Sequence, residues 1–260
     1  MPRLVLDAGN FSWLNSAVSR IKTRYLIQGM NYMQVEVANL GWNELGRDIA
    51  YFGEMQQEAQ FPFISANILT SDSSAPLVKS SIIKKFSSQA HENAPGREMR
   101  VGILGLCADT EQFHLPPSLF PKAKILPPEK VISQALGDLK KSCQLIILLA
   151  ALSLEEARVL CRNHQEIDIV LGAFAGASTP SPWREGNTII CYSGKDGEMI
   201  GELRLFLDEE LRISSYISRL VPLLEDVGED KKMKQLMEAA NEEISEVIKK
   251  AVNPSKKGIK

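Results

Sequence analysis

Apolar and polar positions along the chain change period repeatedly, from about two residues to about 3.6 and back. Leu4-Val5-Leu6 is a short apolar run closed by Asp7-Ala8-Gly9-Asn10, the pattern of a buried strand ending in a turn. Within residues 13–33, Leu14, Val18, Ile21, Tyr25, Leu26 and Met30 recur at spacings of three and four, which predicts an amphipathic helix ending near Gly29. Residues 34–39 alternate as a strand. Residues 43–55 read as a second helix through Leu45, Ile49, Tyr51 and Phe52, and 63–68 as a strand. Residues 78–86 predict a strand with Lys79, Lys84 and Lys85 toward water, and 100–106 a buried one. A Pro-rich loop over 116–128 precedes a helix over 129–141. Residues 143–149 form the most apolar strand. Ser153 and Glu156 set a capping box for a helix over 153–163. Residues 167–171 give a strand ending at Gly172. Residues 188–193 and 199–208 read as strands around the turn Gly194-Lys195-Asp196-Gly197, and 210–221 as a further strand. Residues 225–252 predict a closing helix with Met233, Leu236, Met237, Ala240, Ile244, Val247 and Ile248 on one side. Residues 253–260 read as a solvated basic tail. Strands alternating with helices imply parallel sheet in the first half, and the later run of strands implies antiparallel hairpins. The fold class is α/β, with two packed mixed β-sheets flanked by helices.

Composition narrows the function. Among 260 residues, 44% are apolar and 24% charged, as in an ordinary globular chain. Lys plus Arg number 30 against 32 Asp plus Glu, so the net charge of −2 argues against a nucleic-acid groove or a polybasic membrane surface. The longest apolar stretch, residues 145–152, is about half of what a membrane span needs. The four cysteines, Cys107, Cys143, Cys161 and Cys191, show no C-x-x-C spacing and mostly flank apolar runs. They are expected to be buried thiols, with no zinc site and no c-type haem attachment. The three histidines, His91 in a polar loop, His114 in the Pro-rich loop and His164 at a helix end, read as surface or capping residues. The opening Met1-Pro2-Arg3 leads straight into a strand pattern, which as written predicts a cytoplasmic chain.

No single motif carries chemistry. Asp7 to Asn10 and Asn39 each follow a strand, where α/β proteins place polar function, although turns and caps use the same residues. Gly102 and Gly105 lack the third glycine of a dinucleotide loop. Gly172-Ala173-Phe174-Ala175-Gly176 is a chargeless apolar loop. Ser153, Ser178 and Ser181 have no histidine at a strand end to activate them.

The order of these segments, from Leu4 to about Leu224, resembles the catalytic domain of the calcineurin-like metallophosphoesterases in the bacterial 5′-nucleotidase branch. Leu4-Val-Leu-Asp-Ala-Gly-Asn10 is similar to the second strand motif, which in the family ends Gly-Asp. Met30 through Gly41 resembles the Gly-Asn-His-Glu segment, and Phe63-Ile-Ser-Ala-Asn67-Ile the strand that follows. Val101-Gly-Ile-Leu-Gly-Leu106 is similar to the next strand. Leu145-Ile-Ile-Leu-Leu-Ala150 resembles the strand ending in a metal-binding histidine, and Ile167 through Gly176 the Gly-Gly-His-x-His segment. Ile190 through Leu203 matches the hairpin beside the site.

The resemblance implies a four-layer α-β-β-α sandwich and, in working members, two divalent cations that activate water and clamp a phosphate. Position by position it implies the loss of that equipment. The bridging Asp is Asn10, the metal Asn is Asn39, the catalytic His is Leu40, the strand-end His is Ala150, and the final histidines are Phe174 and Gly176. The Asp-x-His first strand has no counterpart, so the resemblance implies a gap in the first sheet and an upstream segment. Because the family is usually exported, it also implies periplasmic or extracellular placement if a signal segment precedes.

The expectation is therefore a metallophosphoesterase-like domain over residues 1–224, an amphipathic helix over 225–252 and a basic tail over 253–260. It has a vestigial pocket at Asn10, Asn39, Leu40, Ala150, Phe174 and Gly176, no catalytic residue, no bound metal and no cofactor. Its expected role is a catalytically inactive binding or assembly module for a protein partner or small ligand, with no nucleic acid, no membrane span, and assembly through the C-terminal helix. The alternatives are a metal-dependent phosphoester hydrolase completed by an upstream segment or a partner, and an accessory domain of a longer redox protein.

Overall fold

In the strands, odd and even residues go to different cores. Along β8 (Leu145–Ala151), Leu145, Ile147 and Leu149 join one buried cluster while Ile146, Leu148 and Ala150 join another. The same division holds in β6 (Glu98–Cys107), where Val101 and Ile103 separate from Leu104 and Leu106. A strand apolar on both faces must be covered on both faces, and this places β6 and β8 inside the molecule. Full burial of a Leu or Ile side chain contributes about 2 kcal/mol, so these strands anchor the fold.

The computed structural model describes residues 2–12, 16–46, 49–87, 96–109, 122–225 and 227–252. The other strands are β1 (Leu6–Asp7), β2 (Val37–Asn39), β3 (Phe63–Ile64), β4 (Ile68–Thr70), β5 (Ser81–Ser87), β7 (Ala123–Ile125), β9 (Ile169–Gly172), β10 (Trp183–Glu185), β11 (Thr188–Tyr192), β12 (Met199–Leu207) and β13 (Ile213–Pro222). The helices are α1 (Ala17–Tyr32), α2 (Trp42–Leu45), α3 (Ile49–Glu58), α4 (Pro128–Ser142), α5 (Leu154–Asn163) and α6 (Lys231–Val252). One parallel sheet has the order β1-β2-β3. The larger sheet has the order β10-β11-β9-β8-β6-β5, parallel at its centre and antiparallel at both edges.

Four layers result. Ile27 and Met30 of α1 and Tyr51, Phe52 and Met55 of α3 pack with Ala38 and Phe63 on the outer face of the small sheet. Val37 and Ile64 meet Val101, Ile103, Leu145, Ile147 and Ile169 between the sheets. Ile132, Leu136 and Leu139 of α4 and Ala157 and Leu160 of α5 cover the far face of the large sheet. The two-stranded ribbon β12–β13 leans Leu203, Leu205 and Ile213 onto the inter-sheet core. Among the described residues, β1 is hydrogen-bonded to β2 alone.

α6 lies along α1. Met233 sits against Gly29, and Arg24 and the Tyr25 hydroxyl bind the Glu243 carboxylate. The Tyr32 hydroxyl donates to Asp230 at 3.1 Å. Ala240 is buried in this seam, whereas Met237, Ile248 and Val252 stay exposed. Residues 253–260 lie outside the described residues, as do His91 and His114.

Several expectations are corrected. The helix expected over 43–55 is two helices, because Gly46 takes a left-handed φ of 45° and ends α2. The strand expected over 63–68 is split into β3 and β4, with Asn67 turning its side chain to the carbonyls of Cys107 (2.6 Å) and Leu126 (2.7 Å). The Pro-rich stretch holds β7, which pairs with β4. The strands flanking residues 194–197 do not pair with each other: β11 pairs with β9 and β10, and β12 with β13. Thr188, Ile189 and Ile190 are all buried, which suits the interior of the large sheet rather than a surface hairpin. The four cysteines are free thiols, and burial pushes Cys161 and Cys191 up to about 11.

Candidate functional site at the strand ends

The carboxyl ends of β1, β2, β8 and β9 bring their following loops together, the region where open α/β sheets place ligands. Gly9 makes this approach possible after β1. Its φ is 92°, and a Cβ there would lie 2.9 Å from the Asn39 backbone oxygen. Asn10 follows, also left-handed at φ 62°, a conformation Asn tolerates better than most residues. Its Oδ1 accepts the Asn43 amide at 3.3 Å, its carbonyl accepts Asn43 Nδ2 at 3.1 Å, and its Nδ2 reaches the Ala173 carbonyl at 3.5 Å.

Asn39 ends β2 and is completely buried. Its Nδ2 donates to the carbonyls of Ala8 at 3.1 Å and Leu106 at 2.8 Å, which ties the first loop to the large sheet. Two carbonyl acceptors fix the orientation of this amide, since the reversed orientation would set oxygen against oxygen. Its Oδ1 has no hydrogen-bond partner and faces the Cα of Gly105, where a Cβ would stand 2.5 Å from it and 2.6 Å from the Ile64 carbonyl. Gly105 is thus the place where the two sheets nearly touch. The Ala66 amide donates to the Gly105 carbonyl at 2.8 Å.

The other expected positions divide between core and loop. Leu40 is fully buried with the helices that cover the small sheet, and Ala150 is fully buried with those that cover the large sheet. The Ala150 carbonyl accepts the Ala173 amide at 2.9 Å, which brings the loop after β9 alongside. Phe174 in that loop meets Trp42 edge-to-face, with ring centroids 5.8 Å apart. The Trp42 indole N–H donates to the Ala108 carbonyl at 2.8 Å. Gly176 lies one turn further out, at φ 75°, beside the aliphatic part of Lys195.

Two acidic residues here carry more of the architecture than the sequence suggested. Glu44 of α2 is completely buried, and its carboxylate accepts the amides of Asn10 (2.9 Å), Ser12 (3.0 Å) and Gly41 (2.8 Å). Burial raises its pKa, and those amides pull in the other direction. Asp7 accepts the Gly9 amide at 2.8 Å, and burial, opposed by that amide and reinforced by the charge of Glu44, pushes its pKa to about 7. The signal for Glu44 is its place three residues after Gly41, where a helix-start carboxylate reaches back to the first amide.

The two divalent cations implied by the resemblance do not fit these residues. Leu40, Ala150, Phe174 and Gly176 offer no side-chain donor. The Asn39 oxygen is turned into the Gly105 contact and its nitrogen onto two carbonyls. Among the described residues no three His, Cys, Asp or Glu side chains form a cluster.

No family model matches the chain, and no curated protein matches it significantly. Solved structures do. The sulfate thiohydrolase SoxB of Thermus thermophilus superposes with a TM-score of 0.75 at 20% identity, over 91% of this chain and 42% of that one. The calcineurin-like phosphoesterase YfkN of Bacillus subtilis gives 0.78 at 15% identity, over 95% of this chain and 85% of that one. The 5′-nucleotidase precursor of Thermus thermophilus gives 0.76 at 17% identity, over 94% and 50%. The chain therefore spans about half or less of the SoxB and nucleotidase chains and most of YfkN. With layers, sheet order and superposition in agreement, the chain has the fold of the calcineurin-like phosphoesterases and 5′-nucleotidases.

Proposed function

We propose that the chain is a catalytically inactive 5′-nucleotidase-like domain that acts as a binding or assembly module. The observation that carries this reading is the state of Asn39. It is the one residue of the implied ligand set that keeps its identity, and its amide serves the interior instead: both hydrogens lie on the carbonyls of Ala8 and Leu106, with the oxygen against Gly105. Hard divalent ions need several anionic oxygens or imidazoles to offset dehydration, and the neighbouring positions supply Leu40, Ala150 and Phe174. Phe174 leans on Trp42, where a working member would present an imidazole. The binding role is supported by α6, where Met237, Ile248 and Val252 stay in solvent on a helix that packs along α1.

The test is turnover. The protein is loaded with Mn, Zn or Mg salts, freed of excess ion, and assayed on a chromogenic phosphate ester and on a nucleoside 5′-monophosphate. The expected result is no hydrolysis above the metal-only control. Metal-dependent turnover that persists through purification would return the chain to the hydrolases.

A further inference from the structure

We infer that the amides of Asn10, Ser12 and Gly41 form an oxyanion cradle whose resident ligand is the chain's own Glu44 carboxylate, and that a small free carboxylate binds there when this side chain is shortened. The cradle is built from two loops. Oε2 of Glu44 accepts Asn10 and Gly41, and Oε1 accepts Ser12. The Gly41 bond is the ordinary backward reach of a carboxylate in the first turn of a helix. The other two are not local: they cross 34 and 32 residues to the loop after β1. Asn10 at φ 62° turns the chain there, and the amides of Asn10 and Ser12 then converge on one carboxylate.

The chemistry is that of an anion site. Successive backbone amides turned toward one point carry a concentrated positive potential without any cationic side chain. Glu44 is completely buried and makes no ion pair among the described residues, so these amides, together with its own backbone amide, are what offsets its charge. Here an internal anion ties the two loops. The inference does not depend on whether the chain hydrolyses anything, because it rests on amide positions and not on metal donors.

The shape defines the ligand class. Two in-plane oxygens, one taking two amides and the other taking one, describe a planar carboxylate. Glu44→Ala removes the carboxylate and one methylene, which leaves room for formate and not for propionate.

The test compares melting temperatures of the wild type and Glu44→Ala in sodium formate, sodium propionate and sodium chloride at matched ionic strength. The variant is expected to melt below the wild type and to regain about 2–4 °C, saturably, in formate alone, a shift typical of roughly 1 kcal/mol in a chain of this size. No regain in formate by the folded variant, equal shifts in chloride or propionate, or the same formate shift in the wild type, would overturn the inference. Should Glu44→Ala not fold, amide exchange by NMR decides. In the wild type the amides of Asn10, Ser12 and Gly41 are expected to be protected. In Glu44→Gln the side-chain oxygen can keep Asn10 and Gly41 while the NH2 group faces Ser12, so Ser12 alone should exchange faster. Three wild-type amides exchanging at the rate of open loops would also overturn the inference.

Discussion

Asp7 holds its proton more tightly in the folded chain than in the unfolded one, and Asp7→Asn exposes the consequence. Burial raises the carboxyl from 3.8 to about 7, the Gly9 amide opposes this, and the Glu44 charge adds to it. For a raised carboxyl the sign is fixed: the stability it lends is full below the unfolded value and is lost as pH rises through the folded one. The span from 3.8 to about 7 converts to ~4 kcal/mol. Asp7 sits at a strand end still partly open to solvent, and screening there brings the expected effect to about 2 kcal/mol. Asparagine keeps an oxygen for the Gly9 amide and removes the charge that burial penalises. Urea unfolding of the two proteins from about pH 4 to about pH 8 should therefore show the variant gaining on the wild type between pH 4 and pH 7. The gap should then be constant, worth about 4–8 °C in melting temperature. Taking the difference between the two proteins cancels the titrating groups that do not interact with Asp7, while Glu44, whose charge raises the Asp7 carboxyl, stays part of the gap. A gap that does not change with pH, or a wild type that gains on the variant as pH rises, would show that burial does not hold the proton on Asp7.

The other predictions follow from the same contacts. Gly105→Ala puts a Cβ 2.5 Å from the Asn39 oxygen and 2.6 Å from a backbone carbonyl, so denaturant unfolding should show a loss of about 1–3 kcal/mol. Asn39→Asp replaces two donated hydrogens with a charge against the Ala8 and Leu106 carbonyls, and should cost at least about 3 kcal/mol at neutral pH in the same assay. Removal of residues 225–260 strips a helix that contributes no side chain to the three buried clusters of the described residues. A truncated protein that still unfolds cooperatively, by circular dichroism, is the expected outcome.

Much of the fold was legible because burial on two faces leaves a plain mark. The apolar runs of β6 and β8 and the helical spacing of Ile132, Leu136 and Leu139 need little else to be placed. The Ser153–Glu156 capping box was equally readable and forms as expected, with the Ser153 amide on Glu156 at 2.8 Å. Partner choice among strands was not. Gly194 to Gly197 reads as a hairpin turn, yet β11 is taken by the parallel sheet, a decision made by distant β9. At the strand ends the residue types were legible and their orientations were not. The sequence reports an asparagine at position 39, but which way its amide turns depends on the carbonyls of Ala8 and Leu106 and on the absence of a side chain at Gly105. A single carboxylate in a helical stretch reads as a solvated face, and only the meeting of two loops buries Glu44.

On the proposed reading, the strand ends keep the shape of a two-cation site while their side chains serve the core. Equilibrium dialysis of the purified protein against Mn or Zn, with bound ion quantified by mass spectrometry, addresses it most directly. No stoichiometric ion is expected, and no change when Asn39 or Asn10 is replaced in a variant that stays folded. Two ions bound per chain, lost on replacing either residue, would contradict it.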